Sequence, residues 1–263
     1  MKQKEQLKNL LVQRGYAETL PEAERMILAA QVKVDDVVLT QAGAKVSSEA
    51  RLEVRGDRKY VSRGGLKLEG ALEDFSFDPS GLTCIDAGAS TGGFTDCLLK
   101  RGAAQVTAVD VGYGQFDWKL RSDSRVILFE RTNIATATPA SLGAPFDVLV
   151  ADLSFTSLAR LAVQLAAFTG EGGNSFTLVK PQFELPKDVV KDGVIRSFDL
   201  HVQALEMVVE SYQSNRMAVQ GLSFSHLLGP KGNREFWIWA VKGGTTATID
   251  AREVVRRSHE ELA

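Results

Sequence analysis

The chain has 263 residues, 44% of them apolar and 24% charged, with a formal net charge of −2. That suits one large globular domain or a main domain with a small companion, and it excludes a disordered, collagen-like or strongly basic nucleic-acid-coating protein. The start, MKQKEQLKNLLVQRGYAETL, has no long apolar stretch and no small-residue cleavage site, and no uncharged apolar run reaches the roughly 20 residues that span a bilayer. The nearest approach, residues 158–168, contains Arg160. The expectation is a cytoplasmic protein without stable membrane insertion. Two cysteines, Cys84 and Cys97, suit a reducing compartment, and His201, His226 and His259 are scattered without zinc spacing, so no metal is expected.

Charge is unevenly spread. Residues 1–70 carry 13 Lys+Arg against 10 Asp+Glu, or +3, and the remainder carry 18 against 23, or −5. Between Arg55 and Lys67 the basic residues Arg55, Arg58, Lys59, Arg63 and Lys67 face one acid, Asp57, with Tyr60 among them. A short basic stretch with an aromatic can grip phosphates, although the commoner fate of such a run is a solvated linker.

Residues 4–15 read as a short amphipathic helix, with Leu7, Leu10 and Leu11 at helical spacing and Gly15 near its end. A second helix is predicted from Leu20 to Ala30, opened by the capping-box pair Thr19 and Glu22 with Pro21 in the first turn. Val32 and Val34, a turn at Asp35-Asp36, Val37–Leu39, Val46, Leu52 and Val54 then alternate as short strands, so residues 1–57 make a small α+β module. The segment RGYAETLPEAERMILAAQVKVDDVVLTQAGAKVSSEARLEV resembles the RNA-binding fold shared with ribosomal protein S-four. The resemblance implies a basic face turned to structured RNA, with Lys4, Lys8, Arg14, Arg25 and Lys33 as candidates and Arg58, Lys59 and Arg63 in the stretch that follows.

Residues 58–63 are expected to form a linker, and residues 64–263 a second domain. In RKYVSRGGLKL, Gly64-Gly65 reads as a turn, and Leu66, Leu68 and Leu72 as the beginning of a helix. Lys67 would then sit in a first helical turn, where a cation opposes the dipole.

The stretch LTCIDAGASTGGF, Leu82–Phe94, is an apolar run ending in an acid, then small residues and glycines, then an apolar run at helical spacing. It reads as strand, tight turn and helix start, with backbone N–H groups of Gly88, Ala89, Ser90, Thr91, Gly92, Gly93 and Phe94 brought up to a nucleotide-like ligand. A dinucleotide loop needs G-x-G-x-x-G, which is absent here, and the carboxylate of Asp86 just before the turn would repel a pyrophosphate but attract an ammonium group. Such folds place an acid on ribose hydroxyls roughly 20 residues further on, and Asp110 closes the next apolar strand. The two acids together favour S-adenosylmethionine over NAD. The plainer alternative is a pair of ordinary strand-end acids.

From Leu82 onward the pattern alternates: strands at 82–87, 105–110, 125–129, 146–151, 175–180, 217–226 and 234–241, with helices at 92–101, 156–168, 198–213 and 247–262. This predicts a mostly parallel sheet with helices on both faces. The turn Gly229–Asn233 joins the last two strands as a hairpin and makes the final one antiparallel. A doubly wound α/β sheet ending this way resembles the Rossmann-like class I methyltransferase fold.

Ligands of open α/β sheets lie beyond the strands' carboxyl ends. There the chain carries Asp152-Leu153-Ser154-Phe155, then Lys180-Pro181, while Glu235 opens the last strand. A ribose hydroxyl must lose its proton as a methyl group arrives; a lysine amine can take it once its ordinary pKa of about 10.4 is lowered, which burial and a second cation favour and neighbouring carboxylates oppose. The net effect stays open, as do a structural Asp152–Lys180 ion pair and a surface position for Glu235. As a set, Lys67, Asp152, Lys180 and Glu235 resemble the Lys-Asp-Lys-Glu tetrad of FtsJ-like ribose 2'-O-methyltransferases. With YVSRGGLKL, DAGASTGGF, DLSF, VKPQFE and GNREFW in that order after the first module, nearly the whole chain resembles the TlyA family, named as haemolysins and understood as ribosomal RNA 2'-O-methyltransferases. The resemblance implies S-adenosylmethionine as cofactor, methylation of cytidine ribose in ribosomal RNA of the ribosomal subunits, Lys180 as base tuned by Lys67, Asp152 and Glu235 as positioning groups, and coupling of the two domains by Arg58–Val61; on this reading Asp152 is also expected against the cofactor, and Phe155 and Phe183 are candidate stacking partners for an extruded base. Competing readings are a membrane-active haemolysin, a non-catalytic RNA-binding protein and a dinucleotide oxidoreductase.

Overall fold

The computed structural model describes residues 4–14, 16–17, 19–54 and 59–262 and divides into two compact units, Met1–Ser62 and Arg63–Ala263. The first contains β1 (Lys4–Gln6), α1 (Leu7–Gln13), α2 (Leu20–Leu28), β2 (Val32–Val34), β3 (Val37–Val38), β4 (Lys45–Ser47) and β5 (Leu52–Val54). An antiparallel sheet runs in the order β3-β2-β5, and β1 pairs antiparallel with β4. Leu7, Leu11, Ala23 and Ile27 from the helices and Val32 from the sheet share one fully buried core. The helix expected from residue 4 begins at Leu7 instead, because Lys4–Gln6 give their backbone to a ladder with Lys45–Ser47, a pairing that local periodicity does not contain. Thr19 Oγ1 accepts the N–H of Glu22 and caps α2 as its sequence foretells. That helix stops two residues early, where Ala30 turns into the left-handed region at φ +54° and the Gln31 N–H returns to the Met26 carbonyl.

The second unit contains α3 (Arg63–Asp74), β6 (Thr83–Ala87), α4 (Gly93–Lys100), β7 (Gln105–Val109), α5 (Trp118–Arg121), β8 (Val126–Phe129), α6 (Pro139–Leu142), β9 (Phe146–Ala151), α7 (Leu158–Phe168), β10 (Thr169–Val179), α8 (Pro181–Glu184), α9 (Phe198–Ser214), β11 (Met217–Phe224), β12 (Phe236–Lys242) and α10 (Ala251–Glu261). Its seven strands lie in the order β11-β12-β10-β9-β6-β7-β8. The run from β10 to β8 is parallel, and β12 is antiparallel to both β10 and β11. This is the methyltransferase-like α/β fold with its antiparallel closing strand. Val148, Leu149, Val150 and Ala151 are all fully buried, which a sheet covered on both faces requires.

Two expectations are corrected. Helix α3 starts at Arg63, so Gly64 and Gly65 lie inside it and Lys67 occupies its second turn. Each glycine costs a helix roughly 1 kcal/mol, and the buried face of Leu68, Ala71 and Leu72 offsets this. Strand β10 starts at Thr169, not 175, because the glycine-rich TGEGGN is drawn into the ladder through an irregularity between Thr169 and Asn174.

Candidate active site

The carboxyl ends of β6, β7 and β9 open onto a cavity of about 520 Å³ whose lining includes Gly88, Ser90, Asp110, Asn133, Asp152 and Phe155. Gly88, at φ +85°, is there by necessity: a Cβ would stand 2.6 Å from the Asp152 carbonyl oxygen, so only glycine lets the β6 turn pass the end of β9. Gly92, at φ +96°, opens α4 under similar constraint, since a Cβ would lie 2.5 Å from Leu120. The amides of Gly88 and Ala89 both donate to the Val109 carbonyl, tying the loop to β7.

Asp86 is fully buried, and its Oδ2 accepts the N–H and hydroxyl of Thr95 in the first turn of α4 (3.0 and 2.7 Å). A carboxylate therefore already occupies part of the positive end of that helix. Burial pushes this carboxyl up to about 7, opposed by the Thr95 hydrogen bonds and reinforced by Asp152 and Asp110. Its second oxygen, Oδ1, is buried without a partner. Asp110 accepts the amides of Ser90 (2.8 Å) and Gly112 (2.6 Å) and the side chain of Gln115 (3.0 Å). Asp110 and Asp152 line one nucleoside-sized cavity, with the buried Asp86 and its unmet acceptor at the end of β6, and these acids suit a ligand that carries positive charge beside a nucleoside, as S-adenosylmethionine does, and disfavour a pyrophosphate. Thr91, Gly93 and Phe94 complete the turn; Phe94 is buried against Trp237, ring centroids 5.6 Å apart.

The four tetrad residues come together as two ion pairs. Lys67 Nζ donates to Glu235 Oε2 at 2.6 Å, and Lys180 Nζ lies 2.6 Å from Asp152 Oδ1. The second contact is close but poorly aimed for hydrogen bonding, so it acts as an ion pair, and Lys180 adds an aligned bond to Ser154 Oγ at 3.0 Å. Glu235 is fully buried, which removes its surface-residue alternative. Burial pushes its carboxyl up, Lys67 pulls it down and Asp152 adds to the rise, so the charges of both pairs reach one another. Lys180 stands between Val179 and Pro181, where β10 gives way to α8. Phe155 is 91% exposed, and its ring lies 5.2 Å from that of Phe183.

Three supporting residues lie within the motifs DLSF, VKPQFE and GNREFW but are not singled out by the sequence. Glu184 accepts from Ser157 Oγ and the amides of Leu158 and Ala159, and so fastens α8 to the start of α7. Asn233 accepts the Ile195 amide and donates to the carbonyls of Gly193 and Pro230. Ser154 is the third. Each acts across tens of residues, which spacing along the chain does not reveal.

Of the basic candidates, Lys4 and Arg25 are exposed in the first unit, and Lys59 is exposed next to Tyr60. Lys8 pairs with Glu24 at 2.5 Å, and Arg14 donates to the carbonyls of Ser48 and Ala50, so both serve the module's own structure. Arg63, in the second unit, donates to the Leu228 carbonyl. Arg58, like Arg55, lies outside the described residues. Among the described residues no helix is long and apolar enough to cross a membrane.

Residues 60–242 match the family model of the FtsJ-like methyltransferases, and residues 6–52 match the S4 domain. YqxC of Bacillus subtilis, named as an rRNA methyltransferase, is 42% identical over 96% of the chain and 92% of its own length. The 16S/23S rRNA (cytidine-2'-O)-methyltransferase TlyA of Mycobacterium tuberculosis is 42% identical over 96% of the chain and 95% of its own. A solved structure of a hemolysin-named protein from Streptococcus thermophilus superposes with a TM-score of 0.82 at 36% identity, covering 100% of this chain and 98% of that one. Fold, cofactor-shaped cavity and similarity agree along almost the entire sequence: the chain belongs to the TlyA family of FtsJ-like methyltransferases, S-adenosylmethionine-dependent enzymes, here with an S4 domain ahead of the catalytic one.

Proposed function

We propose that this enzyme methylates the 2'-oxygen of a cytidine ribose in ribosomal RNA, with Lys180 as general base. The observation that carries the reading is the convergence of the largely buried Lys67–Glu235 and Lys180–Asp152 pairs, of which Asp152 lines the cavity at the strand ends. When bound, S-adenosylmethionine supplies an electrophilic methyl group, which passes to the ribose oxygen as the carbon–sulfur bond breaks and its electron pair stays on sulfur. Asp110 would hold the donor's ribose hydroxyls and Asp86 Oδ1 its ammonium group, with Gly88–Phe94 wrapping it. Lys180 Nζ takes the hydroxyl proton as the oxygen–carbon bond forms, a task that requires the neutral amine. Asp152 orients Lys180, while Glu235 holds Lys67 so that a second positive charge faces the same site.

RNA would meet the first unit at Lys4 and Arg25 and the following stretch at Lys59, and an extruded base would stack on Phe155 and Phe183. The two similar proteins named for rRNA methylation, and the S4 domain, support ribosomal RNA as substrate. Methyl transfer from labelled S-adenosylmethionine to unmodified ribosomal subunits tests this. Label that makes one ribose linkage resist alkali with the wild type, and vanishes with Lys180→Ala, is expected. No label on either subunit, with the donor still bound, would overturn the ribosomal assignment.

A further inference from the structure

We infer that Ser154 is a positioning residue for Lys180, fixing the direction of the amine's lone pair. The inference rests on the reading of Lys180 as the base. A neutral amine has two N–H groups and one lone pair. With Asp152 as its sole neighbour, the amine could still turn about that one contact. Ser154 Oγ, 3.0 Å from Nζ, supplies the aligned acceptor that Asp152 lacks; with one N–H held there and the amine drawn by charge to Asp152 Oδ1, the lone pair is turned away from both.

The backbone is built to present this hydroxyl. Residues 152–155 all line the cavity. Phe155, directly after Ser154, is held in the left-handed region at φ +62°, a conformation that an aromatic residue resists and that surrounding structure must enforce. The reversal sends neighbouring side chains on different courses: Ser154 Oγ to Lys180, and the Phe155 ring out to 91% exposure beside Phe183. One strained turn thus serves both partners of the reaction, with the hydroxyl on the base and the ring beside the entry.

Ser154 is itself an exposed residue, so Ser154→Ala leaves the core intact. The test measures steady-state methylation of unmodified ribosomal subunits across pH for wild type, Ser154→Ala, Ser154→Thr and Lys180→Ala. Ser154→Ala is expected to lower kcat about tenfold with KM for RNA unchanged, the scale of a lost orientation at a proton-transfer group. Ser Oγ accepts more strongly from an ammonium than from an amine, so its removal disfavours the charged form, and the acid limb of the kcat profile should move to lower pH. Ser154→Thr, which keeps the hydroxyl, should restore both. A wild-type rate in Ser154→Ala alongside an inactive Lys180→Ala would overturn this inference alone. So would a loss of rate with no movement in the acid limb, the sign of a merely structural role. Turnover by Lys180→Ala would overturn the reading of the base, and this inference with it.

Discussion

Asp86 bears the clearest single-residue consequence. Its carboxyl is raised to about 7 by burial, so the folded chain holds its proton more tightly than the unfolded chain, whose ordinary value is about 4. Stability from this group is therefore present at low pH and is lost as pH rises from about 4 to about 7. Asp86→Asn should abolish that slope in urea unfolding, because an amide oxygen can still accept from Thr95. The same change converts the unpartnered Oδ1 into a donor facing a donor, and S-adenosylmethionine affinity measured by calorimetry should fall at least about tenfold. Asp86, Asp110 and the glycine loop were legible in the sequence because their chemistry is written at short, fixed spacing around one strand end. The buried state of Asp86 was not, since it depends on Thr95 closing over it from the next helix.

At the scale of elements, the site depends on how β10, α8 and the turn before β12 are pinned. Gly229 stands where a Cβ would lie 2.2 Å from Glu235 Oε1. Gly229→Ala should displace Glu235 and release Lys67, lowering kcat by tenfold or more while donor binding, measured separately, stays near wild type. Glu184 gives three acceptor contacts to the start of α7, and Glu184→Ala should cost about 2–3 kcal/mol in urea unfolding, the scale of hydrogen bonds to a charged group. The alternation of strands and helices could be read in advance because each element buries a periodic face. The start of α3 could not, because its two glycines argue for a turn and only the packing of Leu68, Ala71 and Leu72 overrules them. The start of α1 was hidden for the same reason, with β4 capturing Lys4–Gln6 from about 40 residues away.

Across the whole molecule, two buried groups pull stability in opposite directions with pH. His201 on α9 shares a 2.9 Å contact with His259 on α10, and burial, with help from His259 and Arg234, pushes it down to about 4. Below its ordinary 6.5 the unfolded chain takes up a proton that the folded chain refuses, so stability falls as pH drops from about 6.5 to about 4. Asp86 gains stability over much of the same window, and the wild type shows only the difference. Asp86→Asn should therefore melt more steeply on acidification than wild type, and His201→Leu should flatten or reverse the trend, both readable from thermal unfolding at pH 7.5 and 5.

The antiparallel insertion of β12 between β10 and β11 also sets an order in time. Lys67 and its partner Glu235 stand 168 residues apart, and at 5–20 residues per second their synthesis is separated by roughly 10–30 s. By the end of that interval the growing chain owns its donor loop, Lys180 and both strands that will flank β12, yet the sheet has a gap and Lys67 still awaits Glu235. β12 both fills that gap and brings Glu235, so the growing chain lacks the full set of two ion pairs until this strand has been made.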